Sequence, residues 1–170
     1  MIFSTPQKNN RGFTLIELLV VISIIGFLAT ASMVMFNSVR MKARDAKRIS
    51  DFKQIKTALE LYYDANNNYP EEAHSGCYDG WETTCDSAGN FIDALRTAGF
   101  MSKVPFDPLN NSTYFYAYYH YSAGDNGCAF AHAVLGIKKF ETNQASIGTS
   151  AQCPGRNWYP EFDYSILLPI

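Results

Sequence analysis

The chain begins with a polar stretch, continues with an almost wholly apolar run and then changes to one-sided patterning. The apolar run extends from Phe13 to Phe36, which is 24 residues. A helix of that length reaches about 36 Å at 1.5 Å per residue, enough to cross a hydrocarbon layer of about 30 Å. The pattern therefore predicts a membrane-spanning helix near the N-terminus.

Beyond this run, apolar residues recur at spacings of three and four, which predicts an amphipathic continuation of the same helix. The helix is expected to end at Asn66, shortly before Pro70, because proline disfavours helix in the residue before it. Asp45 and Asp51 fall on the polar faces, where pairs with neighbouring lysines or arginines contribute ~0.2–0.5 kcal/mol each. The predicted apolar stripe consists of Val39, Ala43, Ala46, Ile49, Phe52, Ile55, Leu59 and Tyr62.

The remaining residues predict one small domain with an antiparallel sheet. Together with the helix this is an α+β architecture: a long N-terminal α-helix, transmembrane in its first half and amphipathic in its second, packed on a small antiparallel β-sheet head. The predicted elements are a short helix from Phe91 to Ala98, and strands at Tyr114–Tyr121, Ala129–Ile137 and Tyr164–Leu168, with a turn at Gly124–Gly127.

A single carboxylate, Glu17, lies near the start of the apolar run. A charged side chain in such a segment costs ~2.5–3.5 kcal/mol at mid-helix, so Glu17 is expected to have a partner. Cleavage after Gly12 would supply one, since the new α-amine of Phe13 is cationic near neutral pH. Between identical helices packed side by side, Glu17 of one chain would pair with the amine of the next.

Two segments carry a resemblance to a known family. Gly12 to Leu18, GFTLIEL, resembles the class III signal of type IV pilins and type II secretion pseudopilins. Pro105 to Pro108, PFDP, resembles the Pro-x-Asp-Pro element that precedes the first sheet strand in major pseudopilins. The resemblance implies a pilin fold, cleavage by prepilin peptidase between Gly12 and Phe13, N-methylation of Phe13, and Glu17 as the assembly carboxylate.

On this basis we interpret the chain as a structural subunit of a type IV pilus-like filament, with a type II secretion pseudopilin as the alternative. The implied partners are homologous pilin subunits, the prepilin peptidase, an assembly platform with its ATPase, and the membrane. The expected organisation is a cleaved leader (residues 1–12), a transmembrane assembly helix (13–36), its amphipathic continuation (37–66) and a globular pilin head (67–170).

A second alternative is a secreted binding module. Lys8 and Arg11, followed by the apolar run and by Ala29-Thr30-Ala31, also fit a secretory signal peptide cleaved after Ala31. An enzyme is not expected, because the sequence contains no nucleophile elbow and no phosphate-binding glycine loop. No cofactor is expected either.

Four cysteines without a CxxC spacing indicate an oxidising, non-cytosolic location. Three pairings are open. The compact spacing of Cys77 and Cys85 favours a local bridge, and Cys128 with Cys153 would then hold the C-terminal segment, like the closing disulfide of many pilins. Zinc is the other possibility, although the spacings match no standard zinc pattern. The histidines available as further zinc ligands are His74, His120 and His132.

No metal site is predicted, although one loop contains weak calcium candidates. Related pseudopilins bind calcium in a loop rich in aspartate and glycine, and the comparable segment here is Gly124–Gly127. Its Asp125 and Asn126 are weak calcium candidates, since calcium takes six to eight oxygen ligands.

Charge bears on partners and on orientation. The net charge is −2, and removing the leader with Lys8 and Arg11 lowers it by two, to −4, which argues against nucleic-acid binding by bulk charge. The positive-inside rule favours a cytoplasmic C-terminal part, because more basic residues follow the span than precede it. The cysteines and the family signal favour the opposite, a single-pass subunit with its head outside the cytoplasm, later part of a surface pilus or periplasmic pseudopilus. The basic residues after the span are Arg40, Lys42, Arg44, Lys47 and Arg48.

Overall fold

The computed structural model describes residues 12–85, 89–142 and 151–170. The chain divides into two units: an N-terminal unit that ends at Arg40, and a C-terminal unit formed by Met41–Ile170. One long helix, α1 (Leu15–Asn66), contributes to both units. It begins two residues later than the predicted Phe13 and ends at the predicted Asn66.

The N-terminal unit exposes its apolar side chains. Within the described residues, α1 is long and apolar enough to cross a membrane, and none of its most apolar stretch is buried inside the chain. Phe13 is 87% exposed and Phe27 is 74% exposed. A continuous apolar surface of this kind requires lipid or other protein around it.

The C-terminal unit is built on a four-stranded antiparallel sheet. The α+β prediction is therefore confirmed. In their order across the sheet, the strands are β1 (Glu82–Thr83), β2 (Tyr116–Tyr121), β3 (His132–Ile137) and β6 (Tyr164–Pro169). A separate hairpin consists of β4 (Gln152–Cys153) and β5 (Arg156–Asn157), and a short helix, α2, covers Asp93–Thr97. Strands of only two residues, such as β1, β4 and β5, show no alternation that a sequence pattern could reveal.

Both faces of the sheet are buried, and successive residues of each strand alternate between them. Tyr116 and Tyr118 of β2 pack with Phe52, Ile55 and Leu59 of α1 in the first apolar cluster. The second cluster lies on the opposite face and is mainly aromatic. It contains Trp81, Phe115, Tyr121, Trp158 and Phe162.

The predicted apolar stripe of α1 is right in its C-terminal part and wrong in its N-terminal part. Phe52, Ile55 and Leu59 are buried as expected, whereas Ala43 and Ala46 are exposed. The buried face continues towards the N-terminus through two charged residues, Asp45 and Arg48, each with no exposed surface. Arg48 lies four residues before Phe52, and Asp45 lies three residues before Arg48, so all three share one helical face. That face is apolar at its C-terminal end and ionic at its N-terminal end.

Candidate assembly site

The start of α1 forms a reciprocal capping box. The Glu17 Oε2 atom accepts hydrogen bonds from the Thr14 backbone N–H at 2.8 Å and from the Thr14 hydroxyl at 2.7 Å. In return, the Glu17 backbone N–H donates to Thr14 Oγ1 at 3.3 Å. Such a pair satisfies backbone donors that have no partner in the first turn of a helix. Its signal in the sequence is Thr-x-x-Glu just before an apolar run.

The residues of the predicted processing site lie immediately before this cap. Gly12 and Phe13 are exposed and non-helical, and Glu17 is exposed as well. The rest of the predicted leader, with Lys8 and Arg11, lies outside the described residues. Both hydrogen bonds to the Glu17 carboxylate use Oε2, so among the described contacts Oε1 has none. The pairing of Glu17 with an amine of another chain stays a prediction.

A buried ionic network joins α1 to two loops of the C-terminal unit. The Arg48 guanidinium donates to Asp107 twice, from Nε to Oδ2 at 2.6 Å and from Nη2 to Oδ1 at 3.0 Å. Its Nη1 donates to Asp45 at 2.7 Å and to Glu141 at 2.8 Å. Arg44 forms a second ion pair with Glu141. The network therefore ties the segments around Asp107 and Glu141 to one turn of α1.

Electrostatics favour the charged forms of these groups. Burial alone lowers the pKa of Arg48, but hydrogen bonds to Asp107 and Glu141 outweigh it and raise that pKa. Burial alone raises the pKa of Asp45, yet hydrogen bonds from Thr142, the Glu141 N–H and Arg48 bring it below its ordinary value. Hydrogen bonds from Arg44 and Arg48 lower the pKa of Glu141 despite its desolvation.

The helix-spaced pairs predicted for Asp45 and Asp51 are present, with Arg48 and Lys47, but the prediction that both carboxylates lie on polar faces is wrong. Asp45 has no exposed surface and Asp51 is 5% exposed. Asp51 accepts from Lys47 Nζ at 2.6 Å and from the Tyr116 hydroxyl at 3.1 Å, so it faces the sheet. The available signal was the spacing of Asp45 and Arg48 from Phe52, which places all three on one helical face. The predicted stripe instead includes Ala43 and Ala46, because these residues are apolar.

Asp107 of the PFDP element has two roles. Besides accepting from Arg48, its Oδ1 accepts the backbone N–H groups of Leu109 at 2.8 Å and Asn110 at 3.3 Å. Local bonds of this kind are typical of aspartate in a turn. The long-range ion pair was not expected, because 59 residues separate Arg48 from Asp107.

Two disulfides are present, which we name the N-terminal disulfide, Cys77–Cys85, and the C-terminal disulfide, Cys128–Cys153. No cysteine is free, so the alternative of a zinc site built from the four thiols is wrong for this structure. The histidines do not converge either. His74 is exposed, His120 contacts Asn68 and Glu71, and His132 lies beside the C-terminal disulfide.

The weak calcium candidates lie in a one-turn 3-10 helix, Asp125–Gly127. Asp125 Oδ2 accepts the Ser122 backbone N–H at 2.9 Å. Glu71 and Glu72 line the same cleft, but Glu72 accepts the His120 backbone N–H and Glu71 is paired with the His120 ring. These carboxylates are thus engaged within the chain, and the structure adds no support to Asp125 and Asn126 as ligands.

Residues 7–33 match the family described as the prokaryotic N-terminal methylation motif. Type II secretion system core protein G of Aeromonas hydrophila is 30% identical over 107 residues, covering 62% of this chain and 71% of that protein. The protein of the same name from Escherichia coli strain K12 is 31% identical over 109 residues, covering 61% and 69%.

The chain belongs to the pilin and pseudopilin family. The type IV major pilin protein PilA of Myxococcus xanthus is a more partial relative, 32% identical over 68 residues, which are 40% of this chain and 31% of that pilin. No solved structure matches the chain. The resemblance drawn from GFTLIEL and PFDP is therefore confirmed at the level of the family. In this family member the capping box lies within the matched residues 7–33, whereas Arg48 lies outside them.

Proposed function

We propose that this chain is a structural subunit of a membrane-anchored helical filament of the pseudopilus kind. The observation that carries the proposal is the exposed apolar start of α1 with Glu17 as the one acidic residue before Asp45. The sequence alone ranked a type IV pilus first, but relatives named type II secretion system core protein G favour the pseudopilin alternative. The similarity to a type IV major pilin supports the pilus as the second candidate.

Assembly would begin with cleavage after Gly12 by a prepilin peptidase and methylation of the new α-amine of Phe13. The subunit waits in the membrane with its C-terminal unit outside the cytoplasm, and an assembly platform with its ATPase adds it to like subunits. Glu17 keeps its own Thr14 bonds through Oε2 and offers Oε1 to the ammonium of the neighbouring Phe13. A charged pair in an apolar surrounding is far less costly than either charge alone.

Substitutions at Glu17 separate assembly from helix capping. Glu17→Gln retains the capping box, because glutamine serves at this position, but loses the charge. Thr14→Ala loses the cap and keeps the carboxylate. We expect Glu17→Gln and Glu17→Ala to reach the membrane at normal levels and to reduce filament yield at least tenfold, in a strain that lacks the wild-type copy. Thr14→Ala is expected to assemble.

The matched control is Thr30→Ala, because the Thr30 hydroxyl donates only to the Phe27 carbonyl of the same helix. Filament yield is measured by shearing and immunoblotting, with the membrane fraction quantified in parallel. Wild-type filament yield from Glu17→Gln would refute the ion-pairing role and reduce Glu17 to a helix cap.

Mass spectrometry of the processed N-terminus tests the alternatives for maturation. Methylated Phe13 supports a filament subunit, and a chain that begins at Ser32 supports the secreted module. Deletion of the gene then distinguishes the two filaments: a pseudopilin mutant loses exported proteins from the medium and keeps its surface fibres, and a pilin mutant does the reverse.

A further inference from the structure

Three potential metal ligands meet at the C-terminal disulfide. The sulfur atoms of Cys128 and Cys153 and the ring Nε2 of His132 all lie within 4.8 Å of one another. Nε2 is 3.6 Å from the Cys153 sulfur. In a tetrahedral zinc site, with Zn–S of about 2.3 Å and Zn–N of about 2.05 Å, sulfur and nitrogen ligands are about 3.6 Å apart. One sulfur–nitrogen edge of such a site is therefore already in place.

The hydrogen bonding of His132 points its free lone pair at the sulfur. Its Nδ1 lies 3.1 Å from the Phe130 carbonyl oxygen, which only accepts, so Nδ1 carries the proton. Nε2 is then unprotonated in the neutral ring. Histidines that bind metals are commonly held in this way, with the other ring nitrogen donating to a carbonyl or carboxylate. The ring is fully buried and stacks on Tyr121 at 5.0 Å between centroids.

The three ligands are also held together by contacts that do not depend on the disulfide. His132 starts β3, an inner strand paired on both sides. The β4–β5 hairpin, which carries Cys153, is attached through a bond from Gly155 N–H to the Asn126 carbonyl at 2.8 Å. Just before that hairpin, Ala151 N–H donates to Ser165 Oγ at 3.0 Å. These two bonds anchor the hairpin to the loop before Cys128 and to β6, the neighbour of β3, so the hairpin stays in place when the S–S bond opens.

We infer that reduction of the C-terminal disulfide converts this position into a zinc site with Cys128, Cys153 and His132 as ligands. A dithiol reductant supplies two electrons and both thiol protons and leaves as its own disulfide. A phosphine supplies the two electrons and leaves as its oxide, with one water molecule providing the oxygen and both protons. Zn²⁺ then displaces both thiol protons. The ion, two thiolates and a neutral imidazole sum to zero charge, which lowers the cost of burial. A fourth coordination position stays open to a solvent ligand.

The N-terminal disulfide is the internal control. Its sulfurs contact the Thr83 hydroxyl, at 3.5 Å from Cys77 and 3.0 Å from Cys85. In the described residues it belongs to no group of three or more cysteine, histidine or acidic ligands. Reduction there yields two thiols without a third ligand. The inference is independent of the proposed filament function, because it concerns the fold of the C-terminal unit alone.

The test titrates the full chain in detergent micelles with Zn²⁺ and, as a spectroscopic probe, with Co²⁺, before and after reduction by a phosphine. Oxidised protein is expected to bind neither ion, and reduced protein to bind one equivalent with thiolate-to-cobalt charge-transfer absorption. The Cys77→Ser/Cys85→Ser variant should bind like the wild type, and Cys128→Ser/Cys153→Ser should not bind. His132→Asn should weaken binding at least tenfold.

Alkylation followed by mass spectrometry supplies a second readout, in which zinc protects Cys128 and Cys153 but leaves Cys77 and Cys85 reactive. Equal binding by oxidised protein, no binding after reduction, or unchanged affinity in His132→Asn would each overturn the inference. Loss of the far-UV circular dichroism of the C-terminal unit on reduction, with no recovery on adding zinc, would also overturn it, since the inference requires the sheet to keep the ligands together.

Discussion

Removal of the buried cation Arg48 is expected to destabilise the C-terminal unit strongly. Arg48→Met retains an unbranched apolar stem but leaves Asp45, Asp107 and Glu141 without their shared guanidinium partner. Losing one member of a buried ionic group typically costs ~3–5 kcal/mol. Asp107 still accepts the Leu109 N–H, which compensates in part. We therefore expect a loss of about 3 kcal/mol in the free energy of unfolding at neutral pH.

Tryptophan fluorescence provides the assay. Both tryptophans of the chain, Trp81 and Trp158, are buried in the C-terminal unit, so urea unfolding of the full chain in micelles reports on that unit alone. The matched control is Lys56→Met on the same helix. Lys56 pairs with Glu60 at the surface, their side chains being 43% and 47% exposed. Its removal should change stability by less than about 0.5 kcal/mol.

The pH dependence distinguishes an ionic network from simple packing. The folded-state pKa values of Asp45 and Glu141 are lowered, so their contribution is present above their unfolded pKa values of about 4 and is lost as pH falls through the folded values. Without Arg48, the two carboxylates contribute less to stability at neutral pH, so less stability is lost on acidification. The difference in the free energy of unfolding between the wild type and Arg48→Met should therefore become smaller below about pH 4. A difference under about 1 kcal/mol at pH 7, or one unchanged at pH 3, would refute the reasoning.

Two further predictions use the same unfolding assay. In Gly136→Ala the new methyl group would lie 2.8 Å from the Phe162 ring, so we expect the free energy of unfolding to fall by ~1–3 kcal/mol. The control is Gly26→Ala, whose methyl group meets nothing within 4 Å and should leave unfolding of the C-terminal unit unchanged. Equal stability of both variants would contradict the packing of β3 on the Phe162 ring. Replacing both cysteines of a disulfide by serines should lower the free energy of unfolding by ~3.5 kcal/mol for the C-terminal disulfide and by ~2.5 kcal/mol for the N-terminal one. The difference arises because the longer loop, which closes a separation of 25 residues and not 8, restricts the unfolded chain more. The reverse ranking would count against this chain-entropy explanation.

Much of the fold was predictable because it depends on short stretches of the chain. The apolar run is almost uninterrupted, Pro70 marks the helix end at Asn66, and short segments bounded by turn residues indicate the strand cores of β2, β3 and β6. Gly99, the residue that follows the predicted short helix, has a φ of +82°, a conformation that glycine adopts readily. The two-residue strands and the aromatic layer on the second sheet face were not predicted, since their contacts join distant segments.

The candidate site likewise contains local features that the sequence predicts and long-range contacts that it does not predict. The predicted processing site, Gly12 and Phe13, lies close to Glu17 in the chain, so a family resemblance was sufficient to predict both. The capping box was readable as well, because Thr14 and Glu17 are three residues apart. The Arg48 network was not readable, since Asp107 and Glu141 lie 59 and 93 residues away along the chain.

By itself, the sequence determined the membrane-length helix and the family, and it predicts the maturation signal, because each depends on neighbouring residues or on a short period. Only the tertiary structure decided which charges are buried and which ligands surround His132. The physical reason is that a charged side chain is excluded from the interior unless partners from other segments neutralise it, and those partners meet only once the chain has folded.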